Sequence, residues 1–504
     1  MFKEYSQYDA IGLSKLIQAQ EVSPLQVCEA AIAQITKLNP IYNAVIDTYF
    51  DKALEQAKNG LKQGPLYGVP FLLKGLSTAY ENTRTTFASN YLKDLKAHYN
   101  SEIVNRYIDS GLNILGKTNA PEMGLSGVTE SALYGPARNP WDPTRTPGGS
   151  SGGAAVAVAT GMVPVAHASD GGGSIRIPAS CCGLFGLKPS RGRSPMGPDV
   201  GKGWQGALAE HALTRSVRDS ALYLDIMNGP DLGAIFWVEK PENTFLSCLN
   251  TPVKKLKIAY TSKPFFPADG IDQDCQKALE HSVNLCESLG HECIEVFPSI
   301  NGAEIQKAFL TIVAGETSGM VKLMSETLKR NPKMDELENA TRLLTNAGKA
   351  YSAADFAYAS GVFDRATRTM AHFMTEYDVI MTPTLAKPPV KIGEQMPNAF
   401  ENALLTILKY IPLSPIVKSV TQMMSKKINQ FLPFTPLFNV TGQPAMSVPL
   451  YWNQQGLPIG IQFAGRYLEE SLLLQLAYQL ETVAPWAHKY PFLAEIKAAK
   501  AITA

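Results

Sequence analysis

Residues 148–193 read GGSSGGAAVAVATGMVPVAHASDGGGSIRIPASCCGLFGLKPSRGR. The segment predicts a helix of small residues, SSGGAAVAVATG, followed by a buried strand, VPVAHAS, and a second strand, CGLFGLKPS. Serines stand in two glycine-rich loops, at 148–153 and 171–174, on either side of the helix and first strand. Because glycine has no side chain, its backbone N–H can come very close to a bound molecule. The segment therefore predicts helices alternating with strands, and a site that grips an anion or an oxygen that becomes one.

The same alternation continues outside this segment. GVPFLLKG predicts a strand from Val69 to Lys74, and LKIAY, YDVIMTPT, PAMSVPLYW and GLPIGIQFAG predict others. Helical patterns separate them, as in QDCQKALEHSVNLCESLG and EESLLLQLAYQLE. Strands and helices in this order indicate an α/β fold with a mostly buried sheet.

Two regions depart from the alternation. Residues 8–62 are predicted to be helical, with Ser23 as an N-cap, Pro24 at the first helical position and Gln26 completing a capping box. Residues 303–375 are also predicted to be helical. Residues 385–435 are apolar but interrupted by prolines, which fits either a helical cover on the core or a substrate lid or membrane-touching flap.

Composition limits the class of protein. The chain has 504 residues, 45% of them hydrophobic, and a formal net charge of +1, so neither nucleic acid nor an anionic membrane is expected as a main partner. The seven cysteines lack metal-ligand spacing with histidine, which favours buried free thiols in a reducing compartment. The N-terminus lacks the apolar core of a signal peptide, and no apolar run is long enough to span a membrane. A cytoplasmic protein is expected.

Ser174 follows three glycines directly and stands where a nucleophile belongs, but a serine needs a base to take its proton. Histidine is one candidate, and GSSGG at 149–153 matches the G-x-S-x-G elbow of α/β-hydrolases, centred on Ser151. That elbow needs a strand just before its serine. The preceding RNPWDPTRTPGG contains three prolines and is predicted to be a loop.

Lysine is the other candidate. Lys74 ends the apolar run VPFLL, where burial would lower its pKa from the usual value of about 10.4. From this run alone, a lysine that reaches out to solvent is the ordinary interpretation. The loop PGGSSGG lacks the lysine of a phosphate-binding P-loop, so nucleotide binding is not expected.

Taken together, these segments resemble the amidase signature family. The similarity runs through GVPFLLKG, GKTNAPEMG, all of 148–193, DVIMTPT and FNVTGQPAMSVPL, and so covers most of the chain. It implies one α/β/α domain, 1–504, around a large mixed and mostly buried central sheet. Its expected parts are N-terminal helices (1–65), a catalytic core (66–300), a variable helical cover of the substrate pocket (301–435), and C-terminal strands and a helix that complete the core (436–504).

The resemblance also implies a catalytic set without metal or organic cofactor. Ser174 would be the nucleophile, Ser150 a bridging serine reached through a cis peptide bond, and Lys74 the base. In this reading Lys74 draws a proton from Ser150, which draws one from Ser174, and an acyl-enzyme forms. The N–H groups expected to converge on the oxyanion are those of Gly171, Gly172, Gly173 and Ser174.

Neighbouring residues have supporting roles in this interpretation. Asp170 and Arg176 flank the nucleophile and are predicted to hold its loop by an ion pair or hydrogen bonds, and Ser151 supports the site. The sequence departs from the family at two positions. Gly75 stands where the family usually has Asp, and Gly171 replaces a larger residue, which is expected to loosen the oxyanion loop.

Within the family, VAHASDGGGSIRIPAS and FNVTGQPAMSVPL look most like the subgroup that hydrolyses the cyclic dimer of 6-aminohexanoate. The expected substrate is a small cyclic or linear aliphatic amide, chosen by residues in 123–134, 301–375 and 385–435. Two alternatives remain open: a glutaminase subunit of a tRNA-dependent transamidase, and a serine esterase with a histidine base. A homodimer is an open possibility, and neither nucleic acid nor membrane is expected as a partner.

Overall fold

A computed structural model describes residues 2–410 and 412–490 of the chain. An eleven-stranded sheet with flanking helices forms the centre of the fold, and a short two-stranded sheet lies apart from it. The strands are β1 Val45–Thr48, β2 Pro70–Lys74, β3 Asn113–Thr118, β4 Glu130–Ser131, β5 Gly135–Pro136, β6 Val165–Asp170, β7 Phe185–Lys188, β8 Ala209–Thr214, β9 Lys257–Tyr260, β10 Glu292–Glu295, β11 Val379–Pro383, β12 Ala445–Trp452 and β13 Pro458–Gly465.

The helices lie between these strands in chain order. They are α1 Ala10–Gln18, α2 Pro24–Tyr42, α3 Phe50–Asn59, α4 Glu102–Asp109, α5 Gly152–Ala159, α6 Arg176–Cys182, α7 Val217–Met227, α8 Phe245–Cys248, α9 Gln273–Ser288, α10 Gly302–Leu328, α11 Asn339–Ala350, α12 Ala353–Phe373, α13 Ala399–Tyr410, α14 Ser414–Asn429, α15 Pro436–Thr441 and α16 Glu470–Val483.

The large sheet is mixed, with strand order β1-β3-β2-β6-β8-β7-β12-β13-β11-β9-β10. Strand β2 pairs in parallel with β3 and β6, whereas β6 pairs antiparallel with β8. This order places Lys74, the last residue of β2, beside the strand that ends at Asp170. The predicted α/β class with a large, mixed and mostly buried sheet is therefore confirmed.

The N-terminal region differs from its prediction. The capping box is confirmed, because Ser23 accepts a hydrogen bond from the Gln26 N–H and the Gln26 side chain accepts one from the Ser23 N–H. However, residues 8–62 are not helical throughout. Strand β1 interrupts them and pairs antiparallel with β3 at the edge of the sheet. Whether β1 forms depends on its pairing with β3, which is distant in sequence. The four residues of β1 carry no distinctive strand pattern of their own.

Helix α5 lies so close to neighbouring segments that its first two positions leave no room for a side chain, which explains its small residues. A Cβ on Gly153 would stand 2.4 Å from the backbone nitrogen of Asn119. A Cβ on Gly152 would stand 2.3 Å from Thr129 Oγ1. Every residue of the helix is buried. The glycine-rich loop that precedes α5 is thereby held against the end of β3.

Residues 301–435 contain helices α10 to α14 together with strand β11. Helices α10, α11, α13 and α14 pack on one another through a separate apolar cluster that includes Ala314, Leu343, Leu405 and Val417. Helical structure in this region is confirmed, while its predicted role in covering a substrate pocket stays a prediction. None of the helices within 2–410 and 412–490 is long and apolar enough to cross a membrane.

Candidate active site

Lys74 lies at the centre of the candidate site, where its side chain points between two serines. The residue is 1% exposed. Its Nζ donates to Ser150 Oγ at 2.8 Å and to Ser169 Oγ at 2.9 Å, and it lies 3.3 Å from the Ser169 carbonyl oxygen. The interpretation of Lys74 as a lysine that reaches solvent is therefore excluded. The three acceptors satisfy the donors of a buried amino group in either charge state.

Burial changes the acid–base behaviour of Lys74. It lowers the pKa of the side chain to about 7, while the negative charges of Glu210 and Asp170 act in the opposite direction. Two other buried lysines, Lys117 and Lys188, also have a pKa lowered to about 7 by burial. Lys188 donates only to a backbone carbonyl, and Lys117 to a carbonyl and a threonine hydroxyl. The shifted pKa alone therefore does not identify the base, and the contact with Ser150 distinguishes Lys74.

Ser150 is reached through a cis peptide bond from Gly149, as predicted. The backbone passes very close to another loop here, since a Cβ on Gly149 would stand 2.7 Å from the backbone nitrogen of Val128. The neighbouring Ser151 is buried and donates to the Ser169 carbonyl oxygen at 3.3 Å. Its hydroxyl therefore links the start of α5 to the end of β6.

Asp170 organises the loop that carries Ser174. Its carboxylate accepts from the N–H groups of Gly173 at 2.7 Å and Ile175 at 3.1 Å. It also forms the expected ion pair with Arg176 at 2.9 Å, with both side chains fully buried. Burial alone would raise the pKa of Asp170, but the adjacent guanidinium and the hydrogen bonds from Arg176 and Asn439 hold it well below its usual range. An ionised Asp170 thus fixes the loop on both sides of Ser174.

The hydrogen bond from Gly173 corrects part of the predicted oxyanion set. Its N–H is committed to the Asp170 carboxylate and is not free to bind a substrate oxygen. Within residues 2–410 and 412–490, no hydrogen bond occupies the N–H groups of Gly171, Gly172 or Ser174. These three groups form the available donor set. Gly173 has another function, because its φ of 128° and the nearby Thr435 Oγ1, 2.3 Å from a Cβ at this position, exclude any side chain.

The structure brings Lys74 and Ser150 together but does not link Ser174 to them. Among the described hydrogen bonds, none joins the hydroxyl groups of Ser150 and Ser174. Ser174 and Gly172 are partly exposed, whereas Ser150 is 2% exposed. Ser174 is therefore the serine that a substrate can reach, and Ser150 lies behind it against Lys74.

Both departures from the family pattern have a structural explanation. A Cβ on Gly75 would stand 2.6 Å from the Thr118 carbonyl oxygen and 2.7 Å from Ile46 Cδ1, so an aspartate does not fit there. A Cβ on Gly171 would stand 2.7 Å from Leu208 and 2.9 Å from the Trp204 ring. The expectation that Gly171 loosens its loop is therefore corrected, because other side chains fill the space.

No histidine takes the position of a base. All seven histidines lie in the part of the chain that the structure describes, and none forms a hydrogen bond with Ser150, Ser151 or Ser174. His211 bonds to Ser220 instead, and burial lowers the pKa of its side chain to about 3. The exposed histidines are His98, His281, His372 and His488. The elbow reading also lacks its strand, since α5 follows a loop.

On two sides of the site lie residues that the motifs did not reveal. Ser169 contacts Lys74 Nζ. The sequence pattern that could have revealed this contact is the pair of polar residues at alternate positions 167 and 169 of a buried strand. Trp204 packs on Gly171, and Phe309 lies 3.3 Å from a Cβ on Gly172. Their rings stand edge to face at 6.1 Å. Phe309 falls in a segment predicted to choose the substrate, whereas Trp204 falls outside all of them.

Comparison with known proteins gives one consistent similarity. The Amidase family model matches residues 26–474. The chain is 33% identical over 497 residues to a 6-aminohexanoate-cyclic-dimer hydrolase from Pseudomonas sp. (strain NK87), covering 96% of each chain. It is 32% identical over 491 residues to an acylamidase from Rhodococcus erythropolis, again covering 96% of each. A solved structure of 6-aminohexanoate cyclic dimer hydrolase complexed with substrate superimposes with a TM-score of 0.89 at 31% identity, covering 97% of this chain and 99% of that one.

Proposed function

The chain belongs to the amidase signature family and is a hydrolase of amide bonds, and we propose that it cleaves a carboxamide C–N bond through Lys74, Ser150 and Ser174 by way of an acyl-enzyme. The observation that carries this proposal is the 2.8 Å contact between Lys74 Nζ and Ser150 Oγ inside the protein. A neutral amine at this point can draw a proton from a hydroxyl that water does not reach. Arg176 and Asp170 hold the loop of the nucleophile nearby.

The first half of the reaction is a proton relay. Ser174 attacks the carbonyl carbon as its proton passes to Ser150 Oγ, while Ser150 passes its own proton to neutral Lys74. The Ser174–Ser150 link has to form when substrate is bound. Catalytic hydrogen bonds are often long or absent before that state and tighten in it. The ammonium of Lys74 then returns a proton through Ser150 to the departing amine, and an ester remains on Ser174.

The second half reverses these steps with water. Lys74 and Ser150 draw a proton from the water as its oxygen attacks the ester, and Ser174 recovers its proton as the carboxylic acid leaves. In both tetrahedral intermediates the oxygen carries a negative charge. The free N–H groups of Gly171, Gly172 and Ser174 support its binding, and each such donor typically contributes about 2.7–4 kcal/mol to the transition state.

For the substrate we propose a small aliphatic amide, cyclic or linear, of the kind represented by the 6-aminohexanoate cyclic dimer. The named activities of the similar proteins support this class. The rings of Trp204 and Phe309 beside the oxyanion loop also support it, since an apolar wall favours methylene chains. We further propose one domain over 1–504, of which residues 491–504 lie outside the described part of the chain, with residues 301–435 covering the pocket. We also propose that the enzyme is cytoplasmic and forms a homodimer, and sedimentation analysis would measure its oligomeric state.

The decisive experiment is a panel of linear and cyclic amides assayed for amine release, with Ser174→Ala as the inactive control. Glutamine belongs in the panel because ammonia release from it alone would identify a transamidase-type glutaminase instead. Esters belong there as well, together with single substitutions of His167, His211 and His291. A histidine-based esterase would be favoured by two results together: the native protein hydrolyses esters but no amide, and one of these histidine variants loses the esterase activity.

A further inference from the structure

Behind the serines, a buried carboxylate and a buried imidazole lie against the strand end that carries Lys74. His167 is 1% exposed and Glu210 is 6% exposed. His167 Nε2 lies 2.9 Å from Glu210 Oε2, and His167 Nδ1 accepts from the Lys74 backbone N–H at 3.4 Å. The three residues come from the neighbouring strands β2, β6 and β8. The proposed function assigns no role to this pair.

The two ring nitrogens of His167 have different surroundings. Nδ1 accepts from the Lys74 backbone N–H, while Nε2 faces the carboxylate at 2.9 Å without the geometry of a hydrogen bond. No lysine or arginine within the described residues lies in ion-pair distance of Glu210. A buried carboxylate without such a partner is costly, and the His167 ring is the polar group in contact with it.

The other groups around the pair do not compensate the charge of Glu210. Asp170 is itself a carboxylate, and its counter-charge is Arg176. Burial and the charge of Glu210 raise the pKa of Tyr107, whose ring lies 5.9 Å from that of His167, so this phenol is neutral. His211 is neutral as well, since burial lowers its pKa to about 3. Glu210 pairs across the sheet with Ser169, whose hydroxyl accepts from Lys74 Nζ, so its negative charge acts on the Lys74 amine.

We infer that Glu210 and His167 are positioning residues for Lys74: Glu210 supplies the negative charge that keeps the buried amine a strong base, and His167 holds that carboxylate against the end of β2. The inference rests on the proposed role of Lys74. Desolvation by itself would weaken the base, because the ammonium that forms when Lys74 takes a proton would have no counter-charge. A fixed carboxylate nearby stabilises that ammonium during the relay.

The test is the pH dependence of the rate at which a fluorophosphonate labels the enzyme. Glu210→Gln keeps the shape but removes the charge, so the midpoint of the rise should move to lower pH by on the order of one unit, with a lower plateau. His167→Asn keeps an acceptor for the Lys74 N–H but loses the ring nitrogen that contacts Glu210, and its midpoint should move the same way. The double variant should move no further than Glu210→Gln alone. Glu210→Asp, which restores a carboxylate, should recover most of the native profile.

Controls separate this inference from the proposed function. His211→Gln, the adjacent residue on β8, removes a neutral imidazole and should leave the midpoint unchanged. Lys74→Ala should abolish the rise, and if labelling persists with the rise intact, the proposed function itself fails. If Lys74→Ala abolishes the rise but Glu210→Gln leaves the midpoint in place or moves it to higher pH, only the inference is overturned. A midpoint that moves oppositely in His167→Asn overturns the role of His167. Should Glu210→Gln fail to fold, Glu210→Asp and His167→Asn decide by the same midpoints.

Discussion

Arg176 and Asp170 form an ion pair at 2.9 Å with no solvent exposure on either side. The pair joins the last residue of β6 to the first residue of α6, across the loop that carries Ser174. Asp170 uses its remaining acceptor capacity for the N–H groups of Gly173 and Ile175. A single buried carboxylate therefore sets the conformation of the nucleophile loop, and its removal should affect stability and activity together.

Asp170→Asn should lower the free energy of unfolding by about 3–5 kcal/mol, because it leaves the Arg176 charge buried without a partner. The pKa of Asp170 is lower in the folded state than in the unfolded chain. Its contribution is therefore complete above the unfolded pKa of about 3.9 and is lost as pH falls below it. Urea unfolding at several pH values should show the native and variant proteins converging toward low pH. Asp109→Asn, which breaks an exposed pair with Lys62, should cause little change.

A fluorophosphonate should label Ser174 and no other serine of the site. Ser174 is partly exposed and stands beside three unoccupied N–H groups, whereas Ser150 is buried against Lys74. Mass mapping of the labelled peptide measures the position of the adduct. Ser174→Ala should abolish labelling, and Ser150→Ala should slow it while leaving the adduct on Ser174. An adduct on Ser150 or Ser151 would reverse the assignment of the nucleophile.

The acylation rate should rise with pH through a midpoint near the Lys74 pKa of about 7. At its usual pKa of about 10.4, a lysine would be neutral at pH 7 in only about one molecule in a few thousand. Because burial lowers the pKa, it supplies most of the neutral Lys74 that can act as a base. Single-turnover acylation of a slow amide measures this profile. In Lys74→Ala the rate should collapse by at least about 100-fold, the low end of general-base effects. Lys117→Met removes an equally shifted lysine that has no contact with Ser150 and should keep the midpoint.

The sequence predicted most of the large sheet but neither β1 nor β8, and β8 shows why. Its residues, AEHALT, place Glu210 and His211 side by side, so they show no apolar alternation. The strand is buried because β6 and β7 pair with it on its two sides. This pairing belongs to the tertiary structure and leaves no pattern in the residues of the strand itself. Glu210 and His167 were overlooked for the same reason. Residues 74, 167 and 210 become neighbours only once the order of β2, β6 and β8 is known.

The predicted site followed the motifs closely where a motif fixes residue types and less closely where backbone conformation decides. Lys74 and Ser150 were assigned through the resemblance to the family, and the two side chains are found in contact. By contrast, the three glycines at 171–173 look equivalent in sequence. Only the structure shows that the Gly173 N–H turns inward to Asp170. The direction of an individual N–H depends on φ and ψ, which a run of identical glycines leaves open.

Gly75→Asp, which restores the residue usual in the family, should destabilise this protein. The new Cβ would stand 2.6 Å from the Thr118 carbonyl oxygen and 2.7 Å from Ile46 Cδ1, and the carboxylate would follow it into the junction of β2 and β3. Overpacking of this kind costs about 1–3 kcal/mol, which urea unfolding measures. Gly319→Ala is the matched control, because a Cβ on that exposed residue of α10 meets nothing within 4 Å, and a gain of about 0.5–1 kcal/mol is expected from helix entropy. Native stability in Gly75→Asp would instead show that β1 and β3 can move apart to admit a side chain at position 75.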